Sequence, residues 1–382
     1  MYSSPPTFTS RALTTIVLLL ALASSPTEAC TVFALVGDVP CVGAHLDWEP
    51  WFPGDVIVNP SGVWKTALLW QEGVPVDEDT TVLAWASSYR SITFTCYGRD
   101  FVEGGMNEAG LVVEQANLGS SGSTRTIGRG VSCAQWIQYQ LDTAATVEEV
   151  LSQLDDLPEG FEGWHYLIAD RLGAVAVLEF CDGRARAYTG EELSYPIITN
   201  TEWTKAASTV PLDRRFGGTA DIAAGDDSYG RFVRVAEAMR ERPNAEEGAA
   251  GRVFRILDTV SLGDTQRRVA YDIAGGRVYW RSALNPELRW LDFSGIEERE
   301  CILRINVDSP GSGCLDRNLA TYSEARNREI AAAAWPAAHG PVTEQSSVRS
   351  VHAIAEMIAL HPTADRTEPR ATNQSRPGPG SR

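Results

Sequence analysis

The stretch HYLIADRLGAVAVLEFCDGRARAYTG, residues 165–190, limits the possible folds more than any other part of the chain. Its β-branched and aromatic residues fall into three runs, broken at 170–173 and again at Asp182-Gly183. Asp-Gly readily adopts the positive φ angles of a two-residue hairpin, so the runs predict consecutive antiparallel strands. TVFAL (31–35), SITFTCYG (91–98) and GLVVEQANL (110–118) read as further strands, and RRVAYDIAGGRVYWRSA adds more beyond 267. Helical spacing occupies the intervals. CAQWIQYQLDTAA (133–145) precedes TVEEVLSQL (146–154), where Thr146 and Glu149 form a capping-box pattern, and RFVRVAEAMRER (231–242) turns Phe232, Val235, Ala236 and Met239 to one face. An alanine-rich helix is expected around 323–336 and another around 347–359. Strand groups separated by helices predict an α+β domain built on antiparallel sheet.

The two ends have a different character. Residues 1–29 carry Arg11, the apolar run ALTTIVLLLALA (12–23) and a polar stretch ending at Ala29, which is the pattern of a secretory signal. The run is shorter than the roughly 20 apolar residues a membrane span needs. The expected organisation is a signal peptide over 1–29, one domain over 30–360 and a disordered tail over 361–382, where no aliphatic residue is larger than alanine. That places the mature protein in the periplasm or outside the cell, with no stable membrane insertion. A net charge of -17 disfavours phosphate-backbone partners, so no nucleic acid is expected.

Seven cysteines are an odd number for an oxidising compartment. They suggest up to three bridges and one reactive thiol, with Cys301 and Cys314 closing a short, turn-rich loop as the first candidate pair. There is no CxxC, and the histidines are scattered, so no metal site is implied. Cys30 stands directly after Ala29. Cleavage there would give it an α-amine with a pKa near 8 beside its own thiol, and one residue would hold both nucleophile and base. Position alone also suits a buried or disulfide-bonded cysteine, or the lipidated cysteine of a bacterial lipoprotein, although PTEA lacks the aliphatic residue usual three positions upstream.

CTVFAL at 30, GAHLDWE at 43, GGMNEAGL at 104, ITN at 198 and GRFVRVAEA at 230 occur in the order and approximate spacing of the choloylglycine hydrolase family. The chain resembles this family, which includes bile salt hydrolases and penicillin V acylases, over roughly 30–300. The resemblance implies an N-terminal nucleophile hydrolase fold, an αββα sandwich of two antiparallel sheets between helical layers. It further implies hydrolysis of linear amide C–N bonds in small N-acyl amides without a metal or organic cofactor, and assembly as a homotetramer. Cys30 then matches the nucleophile, Asp47 the carboxylate near it, Asn200 and Asn117 the oxyanion donors, and Arg231 an arginine held beside the cysteine. In GGMNEAGL, Gly104, Gly105 and Gly110 are expected to form tight turns, and Asn107 and Glu108 to satisfy loop backbone.

Trp48, Trp51 and Phe52 are candidates for an apolar acyl pocket, equally compatible with core positions. Bile-salt-, penicillin V- and acyl-homoserine-lactone-like substrates all present the apolar acyl group such a pocket would take. One departure stands out: many members carry arginine three residues before the aspartate, where this chain has Ala44. His45 would point to the other face of a strand, so it is a poor replacement. Ala44 therefore keeps open a catalytically weak or silent ligand-binding protein.

Overall fold

The computed structural model describes residues 29–339 except 38–39, 50, 68–69, 72–73, 76–82, 97, 100, 119–130, 132, 155–162, 182–183 and 245–246. The expected signal peptide up to residue 28, the helix expected around 347–359 and the tail over 361–382 lie outside the described residues.

Two large sheets face one another. The first contains β1 (Thr31–Leu35), β2 (Cys41–Asp47), β14 (Ile197–Ile198), β15 (Thr265–Asp272), β16 (Arg277–Ser282), β17 (Arg289–Asp292) and β19 (Gly313–Cys314). Its spatial order is β14-β1-β2-β15-β16-β17-β19, antiparallel except for the last pair. The second contains β3 (Asp55–Asn59), β8 (Ser91–Thr95), β9 (Val102–Asn107), β10 (Val112–Asn117), β11 (Trp164–Ala169), β12 (Val175–Cys181), β13 (Arg184–Thr189), β18 (Leu303–Asn306) and β20 (Ala320–Thr321). It is antiparallel throughout in the order β13-β12-β11-β10-β9-β8-β3-β18-β20. Two small pairs, β4 (Trp64–Thr66) with β7 (Ala84–Ala86) and β5 (Trp70–Gln71) with β6 (Val74–Pro75), form an excursion between β3 and β8.

Helices cover the outer faces. The nine-stranded sheet carries α1 (Cys133–Thr143), followed by α2 (Val147–Ser152), while α4 (Ser228–Arg240) and α5 (Ala249–Asp258) pack on the seven-stranded sheet, with α3 (Trp203–Thr209) against α4. The α6 helix (Glu324–His339) follows the sheets. This is the expected α+β sandwich in four layers. β11 and β12 explain why their sequence shows no polar face: Tyr166, Ile168, Ala176 and Leu178 pack toward α1, while Leu167, Ala169 and Val177 pack between the sheets. A strand buried on both faces reads as a continuous apolar run.

β12 and β13 pair antiparallel with Cys181 opposite Arg184, as the sequence predicts. Phe232, Val235 and Ala236 are buried and Met239 packs against the same core. Thr146 Oγ1 accepts from Glu149 N, but Glu149 reaches back to Ala145 N rather than to the cap residue. Two expectations need correction. Cys301 and Cys314 are separate, exposed thiols, because the chain carries Cys301 toward β18 of one sheet and Cys314 into β19 of the other. Gly104 and Gly105 lie within β9, not in turns. A Cβ on Gly104 would sit 2.0 Å from the Glu114 carboxyl and one on Gly105 2.6 Å from Ile92 O, so close approach is what requires them. Gly110 does occupy a turn, at φ 93°. Asn107 satisfies backbone as expected, donating to Leu141 O and Ala144 O at the end of α1.

Candidate active site

The register of the first sheet places Cys30. Thr31 pairs with His45 on one side and Val32 with Ile198 on the other, so continuing each ladder by one or two residues sets Cys30 between Leu46 and Asn200. Ala29 N donates to Asp47 O at 3.2 Å, which extends the same ladder. The cysteine is buried and is followed by a fully buried strand. Sheet alternation then divides the faces. Thr31 meets Arg231 of α4, so Cys30 looks the other way, toward the second sheet.

Arg231 ties the first and last sequence blocks together. The N-cap Asp227 accepts from Gly230 N at 2.8 Å and starts α4 where Arg231 falls in its first turn. Arg231 Nη1 donates to Cys30 O at 2.6 Å and Thr31 Oγ1 at 2.7 Å, and Nη2 donates to Asn200 Oδ1 at 2.8 Å. Burial lowers the guanidinium pKa, opposed by Asp47 and Cys30 nearby, yet an arginine keeps its charge under such conditions. The fork therefore fixes the Cys30 backbone and the Asn200 amide in one frame. Asn200 Nδ2 donates to Asn117 O at 2.9 Å, so Asn117 enters through its backbone oxygen. An amide nitrogen has two hydrogens, and the second is available to a developing oxyanion.

Asp47 is fully buried at the end of β2. Thr265 Oγ1 donates to Asp47 Oδ1 at 2.5 Å, and His45 Nδ1 lies 2.8 Å from Asp47 Oδ2. His45 thus serves Asp47 on the face opposite Ala44. Trp48 and Phe52 are buried in an edge-to-face contact at 6.1 Å, whereas Trp51 is 43% exposed. Only Trp51 presents a broad apolar surface from this trio.

A second buried group was not anticipated. His165 and Glu179 are directly opposed on β11 and β12, with His165 Nδ1 3.1 Å from Glu179 Oε1 and Nε2 2.5 Å from Thr199 O. A carbonyl can only accept, so Nε2 carries a proton. Glu179 Oε1 also takes Trp203 N at 2.6 Å. Ser228 Oγ completes the clamp, accepting from Asn200 N at 2.9 Å and sharing a hydrogen bond with Thr199 Oγ1 at 2.8 Å. The segment that carries Asn200 is held from both sides. Its signal in the sequence was a histidine and a glutamate inside apolar strand runs, where a polar residue needs a partner.

The sequence model of the acyl-coenzyme A:6-aminopenicillanic acid acyl-transferase family matches residues 74–268, half of the chain. The chain belongs to this family. Asn117, Asn200 and Arg231 fall within the match, and Cys30 and Asp47 precede it. Over 327 residues the protein is 23% identical to the penicillin V acylase of Pectobacterium atrosepticum, covering 72% of this chain and 84% of that one. Its fold is similar to penicillin V acylase from Agrobacterium tumefaciens, with TM-score 0.67, 24% identity and coverage of 77% and 98%. A variant of the conjugated bile acid hydrolase from Clostridium perfringens gives TM-score 0.54 at 16% identity, covering 77% and 96%. The resemblance to choloylglycine hydrolases read from the five blocks is thereby borne out, and so is the N-terminal nucleophile hydrolase fold.

Proposed function

We propose that this family member is an exported N-terminal cysteine hydrolase that cleaves the linear amide C–N bond of N-acyl amides. The observation that carries the reading is the single guanidinium of Arg231, bonded at once to Cys30 O, Thr31 Oγ1 and Asn200 Oδ1. Such a frame keeps a nucleophile and an oxyanion donor in fixed relation before substrate arrives, which is what acyl transfer requires.

In the proposed cycle, removal of residues 1–29 exposes the Cys30 α-amine. The amine takes the thiol proton, and the thiolate adds to the amide carbon. The oxyanion is held by the second Asn200 Nδ2 hydrogen, with Asn117 beside it. The α-ammonium passes its proton to the leaving nitrogen, the C–N bond breaks, and a thioester on Cys30 remains. Water then adds to the thioester with the α-amine as base, releasing the acid and restoring the thiol. Asp47, anchored by Thr265 and His45, orients the cysteine end of this arrangement. The acyl group is apolar, with Trp51 at the rim.

Penicillin V is the first substrate to try, given the relative from Pectobacterium, followed by a conjugated bile acid and a long-chain acyl homoserine lactone. Exported wild-type protein should hydrolyse at least one, and Cys30→Ala should hydrolyse none. Turnover by Cys30→Ala at the wild-type rate would refute the mechanism. Ala44 favours one other reading, a ligand-binding protein without turnover. That reading predicts substrate affinity unaffected by alkylating Cys30 and no product from any of the three compounds.

A further inference from the structure

Where the resemblance implies an arginine three residues before Asp47, this chain has Ala44, whose side chain brings no cation toward Cys30. The strand pairing shows where another cation approaches. Arg267 on β15 pairs with Leu46, and Leu46 is opposite Cys30, so Asn200, Cys30, Leu46 and Arg267 form one transverse row. Directly paired residues share a face of the sheet, so Arg267 enters the same inter-sheet space as Cys30. Its guanidinium confirms this by lying 5.7 Å from the Phe94 ring of β8 and pairing with Glu103 of β9, both in the opposite sheet.

We propose that Arg267 is the positioning residue that replaces the arginine missing at Ala44, supplying from the inter-sheet face the cation that faces the Cys30 thiolate. This inference rests on Cys30 being the nucleophile. Two strands across a sheet is about 10 Å between Cα atoms, against about 7–8 Å for the diagonal from Ala44, and a long arginine side chain spans either gap. An arginine at 44 and one at 267 would enter the same space, so the small residue at 44 leaves room for Arg267. Glu103 holds the guanidinium but takes only part of a fork that has five N–H groups. Arg267 is buried, and burial lowers its pKa, opposed by Cys96, Tyr271, Cys30 and Asp308. The charged and titratable groups along this inter-sheet space are Arg267 and Tyr271 of β15, Glu103 of β9, Glu114 of β10, Cys96 after β8, Asp308 after β18 and the Cys30 α-amine, with Arg231 of α4 and Asp47 of β2 on the other face of the first sheet.

The test is the pH dependence of iodoacetamide alkylation at Cys30, followed by peptide mass in the exported, mature protein. A cation beside a thiol favours thiolate, so Arg267→Gln should raise the midpoint by about one pH unit and slow alkylation at pH 7 roughly tenfold. Adding Ala44→Arg to Arg267→Gln should return the midpoint toward wild type. Glu103→Gln should move it the opposite way, because it removes the carboxylate that offsets the guanidinium. This third variant decides the matter if Arg267→Gln does not fold. A folded Arg267→Gln protein with the wild-type profile, or a Glu103→Gln profile that does not fall, overturns the inference. Hydrolysis that survives complete alkylation of Cys30 would instead remove the nucleophile assignment itself, so the two failures are separable.

Discussion

Glu114 projects from β10 into the space between the sheets, where Tyr271 OH donates to its Oε1 and the missing side chain of Gly104 makes room for its carboxyl. Burial pushes its pKa from 4.5 to about 8, only partly opposed by Tyr271 and the Gln115 backbone. A carboxyl whose folded pKa is raised keeps its proton longer in the native state. Between the unfolded and folded values the native state binds more protons, so stability is present below the unfolded pKa and is lost as pH rises toward the folded one. At 1.36 kcal/mol per pH unit the loss comes to about 4 kcal/mol between pH 5 and pH 9. Glu114→Gln mimics the protonated acid, and its carbonyl still accepts from Tyr271. Variant and wild type should therefore melt together near pH 5, and the variant should melt about 8 °C higher near pH 9, at roughly 2 °C per kcal/mol for a chain of this size. Thermal scans by circular dichroism across that range check it. Parallel curves, with the same difference at both ends, would refute the burial argument.

Asn200→Ala should lower kcat by roughly a hundredfold or more with KM little changed, because an oxyanion donor acts mainly in the transition state. Arg231→Lys replaces a fork serving three acceptors with a single ammonium, and should lose a comparable factor while leaving the protein folded; steady-state kinetics with penicillin V separates kcat from KM. His165→Ala should reduce kcat through the Thr199–Asn200 segment, with His165→Gln recovering part of it since its amide can donate to Thr199 O. Gly104→Ala should express poorly or melt well below wild type, as its Cβ meets the Glu114 carboxyl within β9, and Glu114→Ala in the same chain should relieve the defect.

Continuous β-branched and aromatic runs and the Asp182-Gly183 turn signal make the antiparallel strands of 165–190 legible, since turn chemistry and register are encoded close together. The pairing of β1 with β14 joins residues more than 160 positions apart, and no local pattern announces it. The resemblance supplied that link by placing ITN and GRFVRVAEA with CTVFAL. The α5 helix has no capping side chain at its start, and its sequence signal is confined to AAGRVFRILD, which sets Val253, Phe254, Ile256 and Leu257 inward. Gly104 and Gly105 of GGMNEAGL differ from Gly110 in a way no sequence pattern shows, because a turn glycine and a close-approach glycine look alike until Glu114 and Ile92 are placed against them. Arg267 was invisible for a related reason: a row across three strands depends on register and on the bulge between Thr265 and Arg267. Cys301 and Cys314 were close in sequence, yet the sheets to which they belong set them apart.

The central claim is that Cys30 is the mature N-terminus and carries the acyl group during turnover. Intact-mass analysis of exported protein, acid-quenched during reaction with penicillin V, tests both halves at once. The account predicts a chain that begins at unmodified Cys30, with a fraction heavier by one acyl group located on the Cys30 peptide. A chain that begins elsewhere, carries lipid on Cys30, or bears the acyl group on another residue would contradict it.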